Sequence, residues 1–211
     1  MTTGSETKRM SGPERREQLL DAARTIVAER GFQGASIEAV AREAGITRPV
    51  VYGHFGDLEG LLEALVERES DRALAGLADI LPPVGPAAGD PREALLAALD
   101  GYLRAVEADP STWRLVLMPS EGAPASLREH IDRGRDAVVA QLADVVSPGL
   151  APGREPPDPE LAARGVSAFA DELARRLLTD PAAYPRERLV SFARWILDGI
   201  VAPERVAAEA R

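Results

Sequence analysis

The sequence predicts an all-α protein. Along most of the chain the apolar residues recur at helical intervals, which places them on one face of each helix. Aromatic residues make up only 4% of the composition, and runs of β-branched residues are few, so strand signals are scarce. A chain of 211 residues with 45% hydrophobic content can bury a real core, as one domain or as a small head on a larger body.

The composition excludes several classes of site. The chain has no cysteine, which excludes a disulfide framework, a thiolate metal site and a cysteine nucleophile. It has no GxSxG, HExxH, glycine-rich phosphate loop or histidine cluster, so we expect no enzyme, no metal and no cofactor. An apolar signal segment and a membrane-length apolar run are also missing, so we expect a cytoplasmic protein without membrane contact.

The charge is distributed unevenly along the chain. The formal net charge is -9, which at first argues against binding to nucleic acid. Residues 1–56, however, carry eight basic groups against seven acidic ones, a net charge of +1, and the remaining residues carry -10. A nearly neutral head on an acidic body is compatible with DNA docking by the head alone.

The N-terminal part of the chain predicts three helices. The first ends at Gly31 and carries an apolar face formed by Leu19, Leu20, Ala23, Ile26 and Val27. Ser36 is a suitable N-cap for a second helix, Ile37 to Ala44, which Gly45 ends. Thr47 can cap a third helix that has a proline in its first turn, where a missing N–H costs nothing.

The pattern after Gly56 predicts six further helices. A long amphipathic helix runs from about Asp57 to Leu81 and ends in the loop PPVGPAAGDP. Helices separated mainly by proline-containing breaks follow at roughly 91–108, 110–118, 124–147, 159–179 and 186–201. We therefore divide the chain into an N-terminal arm and head, residues 1–56, and a helical body, residues 57–211.

The segment SIEAVAREAGITRPVVYGHF, from Ser36 to Phe55, has the arrangement of a helix-turn-helix. Gly45 tolerates positive φ in the turn, and Ile46 supplies the apolar residue that pins the second helix onto the first. The first turns of such a second helix can reach base edges in the major groove. We therefore predict that this segment contacts double-stranded DNA through Ser36, Thr47, Arg48, Pro49, Val50, Tyr52, Gly53 and His54.

The head resembles the TetR/AcrR family of transcriptional regulators. The resemblance rests on ERGF at Glu29 to Phe32, SIEAVAREAGI at Ser36 to Ile46, and VVYGHFGDLEGLL at Val50 to Leu62. It implies a three-helix DNA-binding head, a connecting helix and a larger body that dimerises and holds a small molecule. It also implies that Arg48, Pro49, Val50, Tyr52 and His54 face the groove, with Thr47 able to reach a phosphate.

Two positions depart from the family pattern, and several residues keep alternative interpretations. Leu58 stands where the family often has a lysine, which removes one expected phosphate contact, and Gly53 stands where a bulkier side chain could read a base. His54 could be a surface histidine without a role, and Tyr52 could merely cap the small core. Four basic residues near the N-terminus could form a solvated tail or a DNA-gripping arm: Lys8, Arg9, Arg15 and Arg16.

The middle helices are expected to line a mainly hydrophobic effector pocket. The resemblance places the pocket in segments that contain Tyr102, Trp113, Arg114, Leu117, Met118 and His130, with Glu121 and Arg128 as further polar candidates. The same residues could equally be plain core. Because aromatic residues are few, an aliphatic site is favoured over an aromatic cage.

The last two helices are expected to form a homodimer interface. Apolar stripes on them could close a two-fold four-helix bundle through Leu161, Gly165, Ala168, Phe169, Leu173, Phe192 and Ile196. The alternative is that these stripes are intrachain core. A dimer is also expected on functional grounds, since one short recognition helix makes too few contacts to find a single genomic site.

The sequence thus predicts a ligand-responsive transcriptional regulator. We expect a repressor that binds a near-palindromic operator as a dimer and is released by a small hydrophobic effector, with the connecting helix transmitting the change. An activator with the same head and a helical protein-interaction module that has lost DNA binding are the alternatives.

Overall fold

The computed structural model describes residues 10–78, 80, 90–118, 125–149 and 155–201, without the side chains of 78, 125–127, 200 and 201. Within these ranges the regular elements are all helices, which confirms the predicted fold class. The α-helices are α1 (Gly12–Arg30), α2 (Ile37–Glu43), α3 (Arg48–Phe55), α4 (Leu58–Ala78), α5 (Pro91–Ala108), α6 (Pro110–Leu117), α7 (Ala125–Val146), α8 (Pro159–Thr179) and α9 (Arg186–Val201), with a 3-10 turn at Phe32–Gly34.

The chain forms two compact units, and the division between them falls inside α4. The first unit runs along the chain as far as Arg68, and the second begins at Glu69. None of the helices in the described ranges is long and apolar enough to cross a membrane.

The first unit is built on the buried face of α1. The predicted stripe is confirmed, since Leu19, Leu20, Ala23, Ile26 and Val27 are all buried. Ser11 begins the helix through a capping box, in which its hydroxyl accepts from the Glu14 amide and its own amide donates to the Glu14 carboxylate at 2.7 Å. A capping box satisfies two of the helix's unpaired N–H groups at once.

The turn between α2 and α3 follows the predicted pattern. The Ser36 hydroxyl accepts from the Ala39 amide at 3.1 Å and so begins α2. Gly45 lies at φ 67°, and the Ile46 amide donates back to the Ala41 carbonyl at 2.9 Å, which ends the helix. One prediction is wrong: Thr47 occupies the N-cap position of α3, but its side chain makes no capping hydrogen bond.

In the second unit, aspartate followed by proline starts three of the helices. Asp90, Asp109 and Asp158 each accept a backbone N–H of the first turn, at 2.9, 3.3 and 3.0 Å. The prolines that follow have no N–H to lose and a φ suited to the helix. The predicted limits of α5, α8 and α9 are met. Helices α6 and α7 each end one residue earlier than predicted, and the predicted start of α7 at residue 124 lies outside the described residues. The predicted end of the long helix at Leu81 lies outside the described residues, and the last described helical residue there is Ala78.

The core of the second unit contains a buried carboxylate. Glu69 on α4 is fully buried, and the Thr112 hydroxyl at the start of α6 hydrogen-bonds it. Arg72 Nη1 donates to Glu69 Oε1 at 3.2 Å. A buried carboxylate is tolerated only when donors satisfy it. The Thr112 contact therefore fixes α6 against α4 within this unit, and Arg72 supplies a second donor from α4 itself.

Two glycines of the first unit allow the effect of backbone conformation to be distinguished from that of side-chain packing. A Cβ added at Gly45 or at Gly53 would meet no atom within 4 Å, but Gly45 has positive φ whereas Gly53 lies within α3. We expect Gly45→Ala to destabilise the protein by about 1 kcal/mol. Gly53→Ala should stabilise it by about 0.5–1 kcal/mol, because alanine favours the helix. Urea unfolding of the full chain measures both, and the same sign for the two variants would contradict this assignment.

Candidate functional site

The outer face of α3 carries the residues predicted to contact DNA. Val51 is fully buried and anchors the helix, whereas Val50 and Tyr52 are 38% and 50% exposed. Thr47, Arg48, Pro49 and Gly53 are also exposed, as is Ser36 at the start of α2, and His54 is half-buried. Seven of the eight predicted residues thus lie on α3 or at its N-cap, between Thr47 and His54, and Ser36 lies at the start of the preceding helix.

The surface of α3 is free of acidic side chains from its own segment. No aspartate or glutamate occurs between Glu43 and Asp57, and Arg48 is the one arginine in that interval. An acid-free exposed helix avoids repulsion by phosphate, so the acidic balance of the whole chain does not oppose docking at this face.

The basic residues at the start of α1 are neither a tail nor an arm. Arg15 and Arg16 lie inside α1, and the Arg16 guanidinium stacks over the Phe55 ring at 4.6 Å. Arg16 Nη1 also donates to the His54 carbonyl at 3.4 Å, near the C-terminal end of α3. Both possibilities considered for these two residues are corrected: Arg16 fixes α3 on α1 by cation–π and helix-end contacts. Lys8 and Arg9 lie outside the described residues.

The second unit contains a cavity of about 450 Å³ among α4 to α9. This volume lies within the range of small-molecule sites. Its walls are mostly aliphatic, with contributions such as Leu74, Leu99, Ile131, Val138 and Leu197. Such a surface suits an apolar ligand, because water inside it gains few hydrogen bonds.

Four of the six predicted pocket residues line this cavity: Tyr102, Trp113, Leu117 and His130. The other two do not. Arg114 instead donates from Nη2 to the Leu178 carbonyl at 3.2 Å, and Met118 is 43% exposed at the end of α6. Helical geometry explains the difference, since successive residues of one short helix point in different directions. Arg128 is exposed and absent from the lining, and Glu121 lies outside the described residues.

A polar cluster forms one part of the cavity wall. The Tyr102 hydroxyl donates to Asp171 Oδ1 at 3.1 Å, and Arg135 Nη2 donates to Asp171 Oδ2 at 2.9 Å. Burial, with the nearby Asp171 carboxylate, raises the pKa of Tyr102 well above its ordinary value, so the phenol stays protonated and remains a donor at neutral pH. Sequence reasoning missed Asp171 and Arg135, because no local pattern distinguishes them from the other charged residues of α7 and α8.

The predicted dimer residues fall into three environments. Leu161, Gly165, Ala168 and Phe192 are exposed, and Leu161 and Phe192 reach 67% and 45%. Leu173 is buried in the core, whereas Phe169 and Ile196 line the cavity, which Gly165 also borders. For Leu173 the alternative of intrachain core is therefore the one observed.

Trp195, which the sequence prediction omitted, extends the exposed apolar surface on α9. It is 68% exposed, and its ring stacks on Phe192 with centroids 5.9 Å apart. Phe192 in turn contacts Phe169 of α8 at 6.2 Å between centroids. We call the exposed set the α8–α9 surface: Leu161, Gly165, Ala168, Phe192 and Trp195. A signal for Trp195 was present, since it follows Phe192 at helical spacing.

Comparison with known proteins identifies the family. The model for "Bacterial regulatory proteins, tetR family" matches residues 19–65, and the model for "Tetracyclin repressor-like, C-terminal domain" matches residues 91–202, more than half of the chain. The chain belongs to the TetR family. TetR regulators are non-enzymatic DNA-binding proteins that bind small-molecule effectors and are dimeric.

Individual TetR relatives support this assignment. The HTH-type transcriptional activator FasR of Mycolicibacterium smegmatis is 27% identical over 66% of this chain, and the match spans 62% of that relative's length. A TetR-like regulator from Rhodococcus sp. RHA1 has the same fold, with a TM-score of 0.73, 24% identity, and coverage of 93% of this chain and 100% of that one. The regulator FadR of Bacillus subtilis, solved in complex with stearoyl-CoA, matches with a TM-score of 0.64, 19% identity, and coverage of 88% of this chain and 97% of that one.

The polar cluster of the cavity makes a testable prediction about stability. Asp171→Ala removes the acceptor of the buried Tyr102 hydroxyl, whereas Arg135 keeps Asp132 at 3.8 Å, so we expect a loss of about 1–3 kcal/mol. Glu172→Ala is the matched control, because the adjacent Glu172 is ion-paired with Arg175 and Arg176 at the surface and should change stability little. Thermal and urea unfolding compare the two variants. Equal losses would show that Asp171 is no more important than a surface charge.

Proposed function

We propose that this TetR-family chain is a ligand-responsive repressor that binds a near-palindromic operator as a dimer and is released by a small aliphatic effector. The observation that carries the proposal is that one chain holds both an exposed, acid-free α3 face and an aliphatic cavity of about 450 Å³. Neither feature is needed for folding alone. Residues 1–56 are proposed as the DNA-binding domain, and residues 57–211 as the domain for effector binding and dimerisation.

In the proposed complex α3 enters the major groove. Arg48, in the first turn, reads a guanine through two hydrogen bonds, and exposed Val50 and Tyr52 contact neighbouring bases or the backbone. The Thr47 side chain makes no capping bond in the described structure, which supports its use as a phosphate contact. Ser36, Pro49, Gly53 and His54 complete the proposed contact set.

The proposed dimer forms through the α8–α9 surface. The stacked rings of Phe192 and Trp195 are exposed, as is Leu161, and soluble single chains rarely leave large apolar areas uncovered. Gly165 and Ala168 lack bulky side chains and allow two helices to approach closely. A two-fold axis through this surface would give two α3 helices for two operator half-sites.

The proposed effector carries an aliphatic chain. The cavity wall supports this, because aliphatic side chains make up most of it. The stearoyl-CoA complex of the FadR relative, an acyl compound on the same fold, is consistent with the same ligand class. Effector binding would favour a dimer whose α3 helices no longer match successive major-groove faces, which are ~34–36 Å apart.

Activation of transcription is the second candidate, and the description of the FasR relative as an activator favours it. A reporter gene behind the bound operator distinguishes the two directions. Deletion of the regulator raises reporter expression if it represses and lowers expression if it activates.

Arg48→Ala tests the DNA interface. Loss of a bidentate guanine contact should weaken binding to a duplex selected from a random library by ~1–3 kcal/mol, or about fivefold to 150-fold, and should relax one base position. Arg30→Ala is the control, because Arg30 is an exposed arginine at the end of α1, paired with Glu29 at 3.8 Å. Fluorescence anisotropy measures both. Unchanged affinity and unchanged base preference for Arg48→Ala would remove Arg48 from the interface.

Trp195→Glu tests the dimer surface. A carboxylate in a closed apolar interface would lose its water, so we expect this variant to be monomeric where the unmodified protein is dimeric. Ala182→Glu places the same charge on an exposed residue between α8 and α9 and should leave the dimer intact. Sedimentation equilibrium gives the molar masses. If Trp195→Glu retains the dimer mass, the α8–α9 surface does not hold the dimer together.

A further inference from the structure

Ser70 is a buried polar residue whose hydroxyl makes no hydrogen bond to the described residues. It lies on α4, is only 5% exposed and lines the cavity of the second unit. Its Oγ is buried and has no hydrogen-bond partner among the described residues. A buried hydroxyl without a partner costs free energy, because it gives up hydrogen bonds to water and receives none in return.

The charged groups of the cavity wall contrast with Ser70. Tyr102 and Arg135 both donate to Asp171, so these donors and the carboxylate already satisfy one another. Arg175 lies 4.0 Å from Asp171 and Asp132 lies 3.8 Å from Arg135, which leaves the cluster with two positive and two negative charges. His130 also lines the cavity and has an interaction of its own within the protein. An ionised ligand group placed beside the charged cluster would have to break its contacts or remain unpaired in an aliphatic cavity, and both are costly.

We propose that Ser70 binds an oxygen atom of the effector, and that the part of the effector inside the cavity is an uncharged aliphatic chain bearing a hydroxyl or carbonyl oxygen. This inference rests on the proposed effector-binding function of the cavity and specifies its chemistry. The Ser70 hydroxyl donates to either kind of oxygen. The ligand thereby supplies the partner that the protein lacks, while the aliphatic wall covers the chain.

The position of Ser70 ties ligand recognition to α4. Ser70 directly follows Glu69, which the Thr112 hydroxyl of α6 hydrogen-bonds, and α6 also contributes Trp113 and Leu117 to the cavity wall. A ligand bonded to Ser70 therefore adds an interaction to α4 that is absent from the unliganded protein. Differential contact of this kind is what a ligand needs in order to shift a conformational equilibrium.

The test compares chain-matched probes that differ only in their oxygen. Dodecanol offers a hydroxyl, methyl laurate a carbonyl, laurate an ionised carboxylate, and dodecane no oxygen; displacement of Nile red from the full-length protein at neutral pH reports their binding. Unmodified protein should bind dodecanol or methyl laurate more tightly than laurate or dodecane. Ser70→Ala should weaken the preferred oxygen-bearing probe about threefold to tenfold, the effect of one net hydrogen bond, and leave dodecane unchanged.

Ser167→Ala is the matched control, since Ser167 is the other buried serine that lines the cavity. Both serines lie inside helices, so both variants gain the same helix propensity. Without ligand, Ser70→Ala should melt no lower than the unmodified protein, because it removes a buried hydroxyl that has no hydrogen-bond partner among the described residues. A merely structural serine would instead lose stability on truncation and leave the probe preference unchanged.

The possible failures are distinguishable. If unmodified protein binds the oxygen-bearing probes and Ser70→Ala binds them equally well, the role of Ser70 is overturned while the aliphatic effector stands. Tighter binding of laurate than of dodecanol and methyl laurate would overturn the uncharged chemistry. If no probe binds although the protein binds its selected duplex, both this inference and the aliphatic effector fail, and DNA recognition by the head stands.

Discussion

The continuity of α4 is the constraint on which the rest of the molecule depends. Within the first unit Leu61 and Leu65 are fully buried, and within the second unit Ala73 is buried while Leu74 and Leu77 line the cavity. One helix therefore contributes side chains to two cores, its N-terminal part in the first unit and its C-terminal part in the second.

Two adjacent side chains show how closely the two sets of contacts approach along α4. Arg68 Nη1 lies 3.0 Å from carboxylate oxygens of both Glu17 and Asp21 on α1 in the first unit. Glu69, the next residue, is held by Thr112 of α6 in the second unit. Because α6 also lines the cavity, a ligand that displaces α6 changes the environment of a fully buried carboxylate. A buried charge tolerates little displacement from its donors, so this contact restricts how far α6 can move against α4 within the second unit.

Local rules accounted for most of the fold. Asp90 and Pro91 show why the helix limits could be predicted from the sequence. Capping and the restricted backbone geometry of proline both act within one helical turn. The role of Gly45 could be predicted for the same reason, since the turn itself requires a residue with positive φ. The outer face of α3 followed from helical periodicity once the buried residue Val51 was assigned. The packing role of Arg16 could not be predicted, because its partner Phe55 is distant in sequence.

The residues of the cavity and of the α8–α9 surface could be predicted only in part from the sequence, because they depend on which helix faces meet in three dimensions. Leu161 and Leu173 belong to one apolar stripe, yet one is 67% exposed and the other 5%. At 3.6 residues per turn, the twelve positions from Leu161 to Leu173 rotate the side chain by about 120°, so the stripe drifts out of the core along a long helix. Asp171 resembles a surface charge until Tyr102 and Arg135 are placed beside it. The lone Ser70 hydroxyl is visible only when all its neighbours are known.

Coupling between the cavity and the DNA-binding head is tested most directly by the reciprocity that thermodynamic linkage requires. Titration calorimetry measures the affinity of the tightest-binding twelve-carbon probe for the free protein and for protein saturated with its selected duplex. If α4 couples the two sites, the duplex weakens probe binding by the same factor by which the probe weakens duplex binding. Equal probe affinity for the free and DNA-bound protein would contradict that coupling.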